Sequence, residues 1–310
     1  MKHVFIINPM AGKGKTAALI GPQIERCAEK YKLDYTIHLT SAPGDALEYS
    51  KKLAQTGEDV RIYACGGDGT LYEAVNGTYG YKNVELASIP LGSGNDFVRL
   101  FGTREQFCDI DAQVNGTAIE LDVIKCGNEI AINQCSMGLD AEVCASQASF
   151  KKLPLLNGEA AYTAALLSCF IGKMKSHFTI KIDDDEPFSA DVLFCVAGNS
   201  RWYGGGYMAA PLALPDDGLL DFVVVRKAVS RIKLLGLINE YKAGRHLSWD
   251  ITTFKRGKKI SIKSAVPAAV NVDGETHYTT ESTMEIIEKG AKFVIPSTST
   301  YIKDRAEKKL

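Results

Sequence analysis

Over the first third of this 310-residue chain, short apolar runs alternate with stretches of helical spacing. Residues 4–7, 34–39, 60–64 and 86–89 read as strands. Between them, 16–31 (apolar at Leu19, Ile24, Cys27 and Ala28), 44–55 and 70–76 read as helices. Strands separated by a helix cannot pair as hairpins, so they pair in parallel through crossovers. The spacing therefore predicts an α/β domain with a parallel sheet and helices on both faces. In such a sheet, ligands bind beyond the C-terminal ends of the strands, so the loops leaving those ends are where chemistry is sought.

Three of those loops are built from small residues. Cys65-Gly66-Gly67-Asp68-Gly69-Thr70 follows the third strand and leads into Leu71-Tyr72-Glu73. Glycines where a helix opens remove every Cβ from the place where unpaired N–H groups and the positive end of the helix dipole favour an anion such as phosphate. A carboxylate, Asp68, sits among them, which suits a cation or a proton in transit. The plainer alternative is a tight turn whose Asp caps the helix. After the first strand, Asn8-Pro9-Met10-Ala11-Gly12-Lys13-Gly14-Lys15-Thr16 is one residue from a Walker A loop, with Pro9 in place of the first glycine. It also matches a loose dinucleotide pattern at Gly12, Gly14 and Ala17, but no acid ends the second strand, which closes on His38-Leu39-Thr40. A phosphate loop and a plain helix-start turn both remain open here. After the fourth strand comes Pro90-Leu91-Gly92-Ser93-Gly94-Asn95-Asp96-Phe97, with Ser93 and Asn95 as polar contacts and Asp96 as a second carboxylate.

An Asn-Pro-x-x-Gly opening, then Gly-Gly-Asp-Gly-Thr, then Gly-Ser-Gly-Asn-Asp-Phe resembles the diacylglycerol-kinase catalytic domain family. More closely it looks like the bacterial soluble lipid kinases of that family, with sphingosine and ceramide kinases as relatives. The resemblance covers nearly the whole chain and implies a nucleotide site made by Asn8, Pro9, Met10, Ala11, Gly12, Thr40, Gly67, Asp68, Gly69, Thr70, Leu71, Tyr72, Glu73 and Ser93.

Beyond Asp122 the texture changes to short runs broken by polar turns, at 121–125, 130–134, 178–182, 192–197, 219–225, 251–254, 259–263 and 269–272. That density predicts antiparallel strands and an all-β sandwich, interrupted by helical stretches at 159–173 and 231–241. The final run, 293–295 and then 299–309, returns to the first domain by analogy with the family. The expected domains are 1–124 plus 291–310, and 125–290.

Adjacent acids at Asp216-Asp217 lie in a turn punctuated by Pro215 and Gly218. Read alone this is an Asp-Gly turn. The resemblance implies a structural Mg²⁺ held by Asp217 and the carbonyls of Leu214 and Leu219, since hard cations take oxygen ligands. In Asn271-Val272-Asp273-Gly274-Glu275, two carboxylates are spaced so that a turn can hold them close. Phosphoryl transfer to an alcohol needs positioning, charge neutralisation and a base for the hydroxyl proton. The resemblance places the base here, with Glu275 ahead of Asp273, and Asp68 as third candidate. It also places Asp122 near the Mg²⁺ water network, whereas alone it reads as an edge-strand, solvent-facing acid.

The 36 basic and 37 acidic residues nearly cancel, which predicts neither nucleic-acid binding nor strong attraction to membranes. Eight scattered cysteines without C-x-x-C spacing read as free thiols of a reducing compartment, and the five histidines form no ligand spacing. With no cleavable leader and no apolar run long enough to span a bilayer, a soluble cytoplasmic protein is expected, in transient contact with its lipid at the membrane surface. The apolar stretch 162–171 and the basic turn Lys255-Arg256-Gly257-Lys258-Lys259 are the candidate contacts, with a core helix and a charged hairpin tip as plainer readings. The glycine run 204–206 beside Trp202 and Tyr203 is a candidate cleft loop. A homodimer is compatible with the sequence.

The expected function is ATP-dependent phosphorylation of a lipid hydroxyl, most simply that of diacylglycerol, with ATP and Mg²⁺ between the two domains. One alternative is an NAD kinase, which shares Gly-Gly-Asp-Gly-Thr but typically carries a hydrophobic sequence in place of Gly-Ser-Gly-Asn-Asp-Phe. The other is a nucleotide-sensing regulator without catalysis, against which the retained acids Asp68, Asp217, Asp273 and Glu275 argue.

Overall fold

The computed structural model describes residues 1–14, 16–150, 176–226 and 231–309. These fall into two compact units, Met1–Leu121 with Lys289–Leu310, and Asp122–Glu288.

The first unit is an α/β domain. Strands β1 (Lys2–Ile7), β2 (Tyr35–Leu39), β3 (Val60–Gly66) and β4 (Val84–Pro90) pair in parallel in the order β4-β3-β1-β2. They are joined by α1 (Thr16–Tyr31), α2 (Asp45–Gln55) and α3 (Asp68–Thr78). The central strand β3 is buried at every position, as a strand covered on both faces must be. Phe5, Ile7, Tyr63, Cys65 and Ile89 pack with Ile20, Ile24 and Cys27 of α1, each large side chain contributing about 1.5–3 kcal/mol by leaving water. Two short helices follow, α4 (Arg104–Cys108), opened by a Thr103–Gln106 capping box, and α5 (Ile110–Val114), capped by Asp109. Residues 289–295 return to this unit, where Phe293 pairs with Leu86 in parallel and its ring meets Phe97 and Phe101.

Helix α3 begins two residues earlier than its apolar spacing suggests. Gly67 is the N-cap and Asp68 is already helical, because extended backbone at Gly67 lets the helix start as soon as β3 ends.

The second unit is mainly β and antiparallel. After β5 (Thr117–Cys126), whose last residues pair with β6 (Glu129–Ala131), come β7 (Gln134–Gly138) and helix α6 (Leu139–Phe150). Then follow β8 (Ser176–Ile182), β9 (Phe188–Gly198), a small hairpin of β10 (Trp202–Tyr203) and β11 (Tyr207–Met208), and β12 (Leu220–Arg226). Helix α7 (Arg231–Lys242) precedes β13 (Thr252–Gly257), β14 (Lys259–Val272) and β15 (Glu275–Ile295); helix α8 (Tyr301–Ala306) belongs to the first unit. The order is β13-β12-β9-β7-β14-β15, and β8 pairs with the early parts of both β9 and β14. Those two long strands thus serve two sets of neighbours. In β14 the register with β15 breaks between Lys263 and Ala268, around Pro267, which has no N–H to give the ladder.

The helix expected at 159–173, with the apolar contact candidate 162–171, lies outside the described residues. Among the described residues, no helix is long and apolar enough to cross a membrane, and every cysteine is a free thiol.

Candidate functional site

The register levels the ends of the four parallel strands. Ile7 stands opposite Leu39 and Cys65, and Gly66 opposite Pro90. The Asn8 loop, Thr40, the Gly67–Asp68 helix start and the Ser93 loop therefore leave from one edge of one sheet. Hydrogen bonds carry the alignment past the strands. Asn8 N–H donates to the Cys65 carbonyl (3.0 Å), Thr40 N–H to that of Ile7 (2.9 Å), and Leu91 N–H to that of Gly66 (2.7 Å).

Asp68 does not cap its own helix. Its carboxylate accepts the N–H of Asn95 (2.7 Å) and of Asp96 (3.0 Å), fastening the third loop to the second. Burial pushes the Asp68 carboxyl up, while those two N–H groups pull it the other way. Within the third loop, Asn95 adopts a left-handed conformation (φ 54°) and its amide bridges to Gly92 at both ends, 2.7 and 3.1 Å. Asp96 is buried against Arg99 (3.0 Å), and Ser93 is exposed.

Most of the loop glycines are explained by close packing. A Cβ on Gly92 would stand 2.5 Å from the Gly67 Cα, one on Gly94 2.7 Å from Asp68 Oδ2, and one on Gly66 2.2 Å from Thr70 Oγ1. Gly69 differs. It is exposed in the first turn of α3, with nothing within 4 Å of where its Cβ would be. No contact and no left-handed φ require glycine there, yet it costs about 1 kcal/mol in a helix relative to alanine. What glycine provides at that position is bare N–H groups at a helix N-terminus.

The other expected nucleotide residues divide by what their side chains do. Leu71 and Thr70 are buried. The Glu73 carboxylate accepts the N–H of Gly44 (2.9 Å) and of Ala46 (3.0 Å), so it braces the start of α2. In the first loop, Asn8 Oδ1 accepts the Met10 N–H (2.9 Å), Met10 is 80% exposed beside Pro9 and Ala11, and Gly12 takes a left-handed φ of 56°. Tyr72 completes the first turns of α3.

In the second unit, Asp273 and Glu275 flank Gly274 in the β14–β15 turn. Asp273 is left-handed (φ 50°), and its carboxylate accepts the backbone N–H groups of Ile132 (2.6 Å), Asn133 (3.2 Å) and Gln134 (2.8 Å). Its lone pairs are occupied in holding the segment that enters β7. Glu275 is exposed at the first position of β15. Beside the Asp273 turn, Asn133 Oδ1, the Gln134 amide, Asn199 Oδ1 and Ser200 Oγ are buried without a partner. Such groups are costly unless water or a ligand pairs them. The segments are stitched together by Asn199 and Ser200 N–H bonds to the Asn133 carbonyl, 2.9 and 3.0 Å.

Asp122 is buried, not solvent-facing. Its Oδ2 accepts the Gly218 N–H (2.8 Å) and its own N–H donates to the Pro215 carbonyl (2.7 Å). Asp217 Oδ1 accepts the Leu219 N–H (3.1 Å), and Oδ2 is ion-paired with the Arg256 guanidinium, which also reaches Asp221 (2.8 Å). A Mg²⁺ held by Asp217 with the Leu214 and Leu219 carbonyls needs a carboxylate oxygen facing the ion. With one oxygen on a backbone N–H and the other on a guanidinium, these residues as arranged do not fit a divalent ion. The sequence offered no sign of Arg256 here, because its place opposite Asp221 is a matter of β12–β13 register.

The basic turn is likewise paired. Lys255 meets Asp185, Lys258 meets Glu288 (2.6 Å) and Lys259 meets Glu285 (3.5 Å), while Asp183 accepts the N–H groups of Lys258 and Lys259. Tyr203 and Tyr207, flanking the glycine run, pack in an aromatic group with Tyr241, which in turn meets His246.

Residues 2–126 match the model of the diacylglycerol kinase catalytic domain, and 133–292 that of the YegS C-terminal NAD kinase beta sandwich-like domain. A Shewanella frigidimarina protein bearing the name Probable lipid kinase YegS-like is 30% identical over 76% of this chain and 76% of its own length. A diacylglycerol kinase of Staphylococcus carnosus is 28% identical over 87% of each chain. Among solved structures, a diacylglycerol kinase of Bacillus anthracis shares the fold at TM-score 0.68 and 20% identity, covering 95% of this chain and 96% of that one. Yeast NADH kinase shares it at TM-score 0.52 and 12% identity, over 99% of this chain and 87% of that one.

Proposed function

This chain belongs to the diacylglycerol kinase family of bacterial lipid kinases, and on that premise we propose that it transfers the γ-phosphoryl group of ATP to the hydroxyl of a lipid, diacylglycerol or a close neutral relative. The observation that carries the reading is Gly69, a glycine at a helix N-terminus that packing does not require, on a sheet edge where three other candidate loops end level. Phosphate oxygens of ATP, taken up as its Mg²⁺ chelate, accept hydrogen bonds from the N–H groups at the start of α3. The Asn8–Pro9–Met10–Ala11–Gly12 loop, Thr40 and Ser93 flank them. Asp68 keeps the second and third loops in register, a positioning role consistent with both of its oxygens being engaged.

Glu275 is the base that takes the hydroxyl proton, since it is exposed while accepting a proton at Asp273 would break the bonds that hold 132–134. The unpaired buried amide oxygens of Asn133 and Asn199, with the Gln134 amide and the Ser200 hydroxyl, suit an acceptor that brings hydroxyl groups. The lipid is met at a membrane surface, transiently, by a protein that stays peripheral. The test is transfer of labelled γ-phosphate, offered in parallel to a lipid extract, to NAD and to water, with mass analysis of the labelled product. Label in an organic-phase lipid supports the reading. Label in NADP, or only in inorganic phosphate, overturns it.

A further inference from the structure

The turn 214–219 carries the acid to which the family resemblance assigns a divalent ion, and in this chain a side chain already brings positive charge to it. Arg256 is fixed there by the sheet. It stands directly opposite Asp221 in the β12–β13 register, and its neighbour Gly257 is packed so tightly that a Cβ would lie 2.2 Å from Asp183 Oδ2. From that position its Nε binds Asp221 Oδ1 at 2.8 Å and its other nitrogen pairs with Asp217 Oδ2, with the guanidinium side chain two-thirds buried (34% exposed) and Asp221 fully so. The remaining Asp217 oxygen holds the Leu219 N–H, and Asp122 holds the Gly218 N–H, so both Asp217 oxygens are engaged by donors of the chain. A planar fork that binds two carboxylates through separate nitrogens satisfies directional demands that a metal would otherwise meet with carbonyls and water.

We infer that Arg256 is the resident cation of this turn, standing where a structural divalent ion would otherwise bind Asp217, so that the second unit holds its 214–219 segment without metal. The inference is independent of the acceptor lipid and of the nucleotide's own Mg²⁺, which enters with ATP.

The experiment is thermal unfolding of the full-length protein without nucleotide, in EDTA and then with millimolar Mg²⁺ or Ca²⁺. For the unaltered protein the midpoint is expected to be the same in all three. Arg256→Met is expected to lower it by several degrees in EDTA. Added Mg²⁺ or Ca²⁺ then restores part of the loss, and the further substitution Asp217→Asn abolishes that rescue. Arg256→Lys, which keeps the charge but not the fork, is expected to fall between. Two results overturn the inference. One is an unaltered protein whose midpoint rises with Mg²⁺ in a way that Asp217→Asn removes. The other is an Arg256→Met protein as stable in EDTA as the parent. Should Arg256→Met fail to fold, the metal response of the unaltered protein and of Asp217→Asn decides alone.

Discussion

The two units put backbone and side chain to opposite uses. In the first, the candidate site is made of main chain. Glycines let two loops touch, one carboxylate fastens them, and a bare helix start faces outward at Gly69. In the second, the candidate site is made of acids, and nearly every acid is already spent on structure. Asp273 holds three N–H groups, Asp122 and Asp217 one each, and Asp217 and Asp221 share Arg256. The lesson is that a carboxylate in a motif is evidence of chemistry only when its lone pairs are free. Glu275 alone among the expected acids stands exposed at a strand end.

The largest expected effect tests that distinction inside one turn. Glu275→Gln is expected to lower turnover by about 10²–10⁴-fold with the unfolding midpoint unchanged, as for loss of a general base. Asp273→Asn replaces an all-acceptor carboxylate by an amide that turns an N–H toward three backbone donors, so it is expected to lose stability, with activity falling only as folded protein is lost. Steady-state rates and melts on both variants make the comparison. If Glu275→Gln keeps full turnover, the contrast between free and engaged acids does not identify the base.

A second expected effect concerns a carboxyl with no place in the proposed chemistry. Asp140 opens α6 with both carboxylate oxygens buried and without a hydrogen-bond partner, and burial pushes its carboxyl up to about 6. A raised carboxyl favours the folded state only while protonated. Its contribution is therefore complete below the unfolded value near 4 and is lost as pH rises through about 6. Two units correspond to about 3 kcal/mol. Asp140→Asn is expected to flatten that part of the profile, becoming more stable relative to the parent by up to that amount between pH 4 and 7, as measured by urea unfolding across pH. A difference that stays constant with pH would remove Asp140 from the pH-sensitive groups.

How much of this was legible in the sequence follows the same division. The parallel sheet and its loop edge could be read because strand–helix alternation dictates both the pairing and the end at which ligands bind. Local sequence does not encode long-range register, and that is where reading stopped. Nothing near Asp217 announces Arg256, nothing near Asp273 announces residues 132–134, and Glu73 braces a helix start nearly thirty residues before it. Asp122 reads as an exposed edge residue because an acid in an apolar run has no visible partner. Its partner, the Gly218 N–H, lies in the turn that follows a distant hairpin. The basic tip at 255–259 gives no sign in the sequence of the segment it meets, 183–185, where Lys255 pairs with Asp185 and Asp183 accepts the N–H groups of Lys258 and Lys259.

The smallest expected effect separates the two kinds of glycine in the first unit and is the sharpest test of the main-chain site. Gly92→Ala forces a Cβ to 2.5 Å from the Gly67 Cα, a backbone atom that cannot swing away, so the two loops must part. The expected cost is of the order of 1–3 kcal/mol, the usual range for overpacking. Gly69→Ala meets nothing within 4 Å and gains helix propensity, so it is expected to raise stability by up to about 1 kcal/mol. If the N–H groups of that turn cradle phosphate, the same methyl stands where the anion must approach, and the KM for ATP rises while the protein becomes more stable. Packing alone cannot produce that opposite movement. A Gly69→Ala protein with unchanged KM would place the nucleotide's phosphates elsewhere on the sheet edge and leave the glycine without a physical reason.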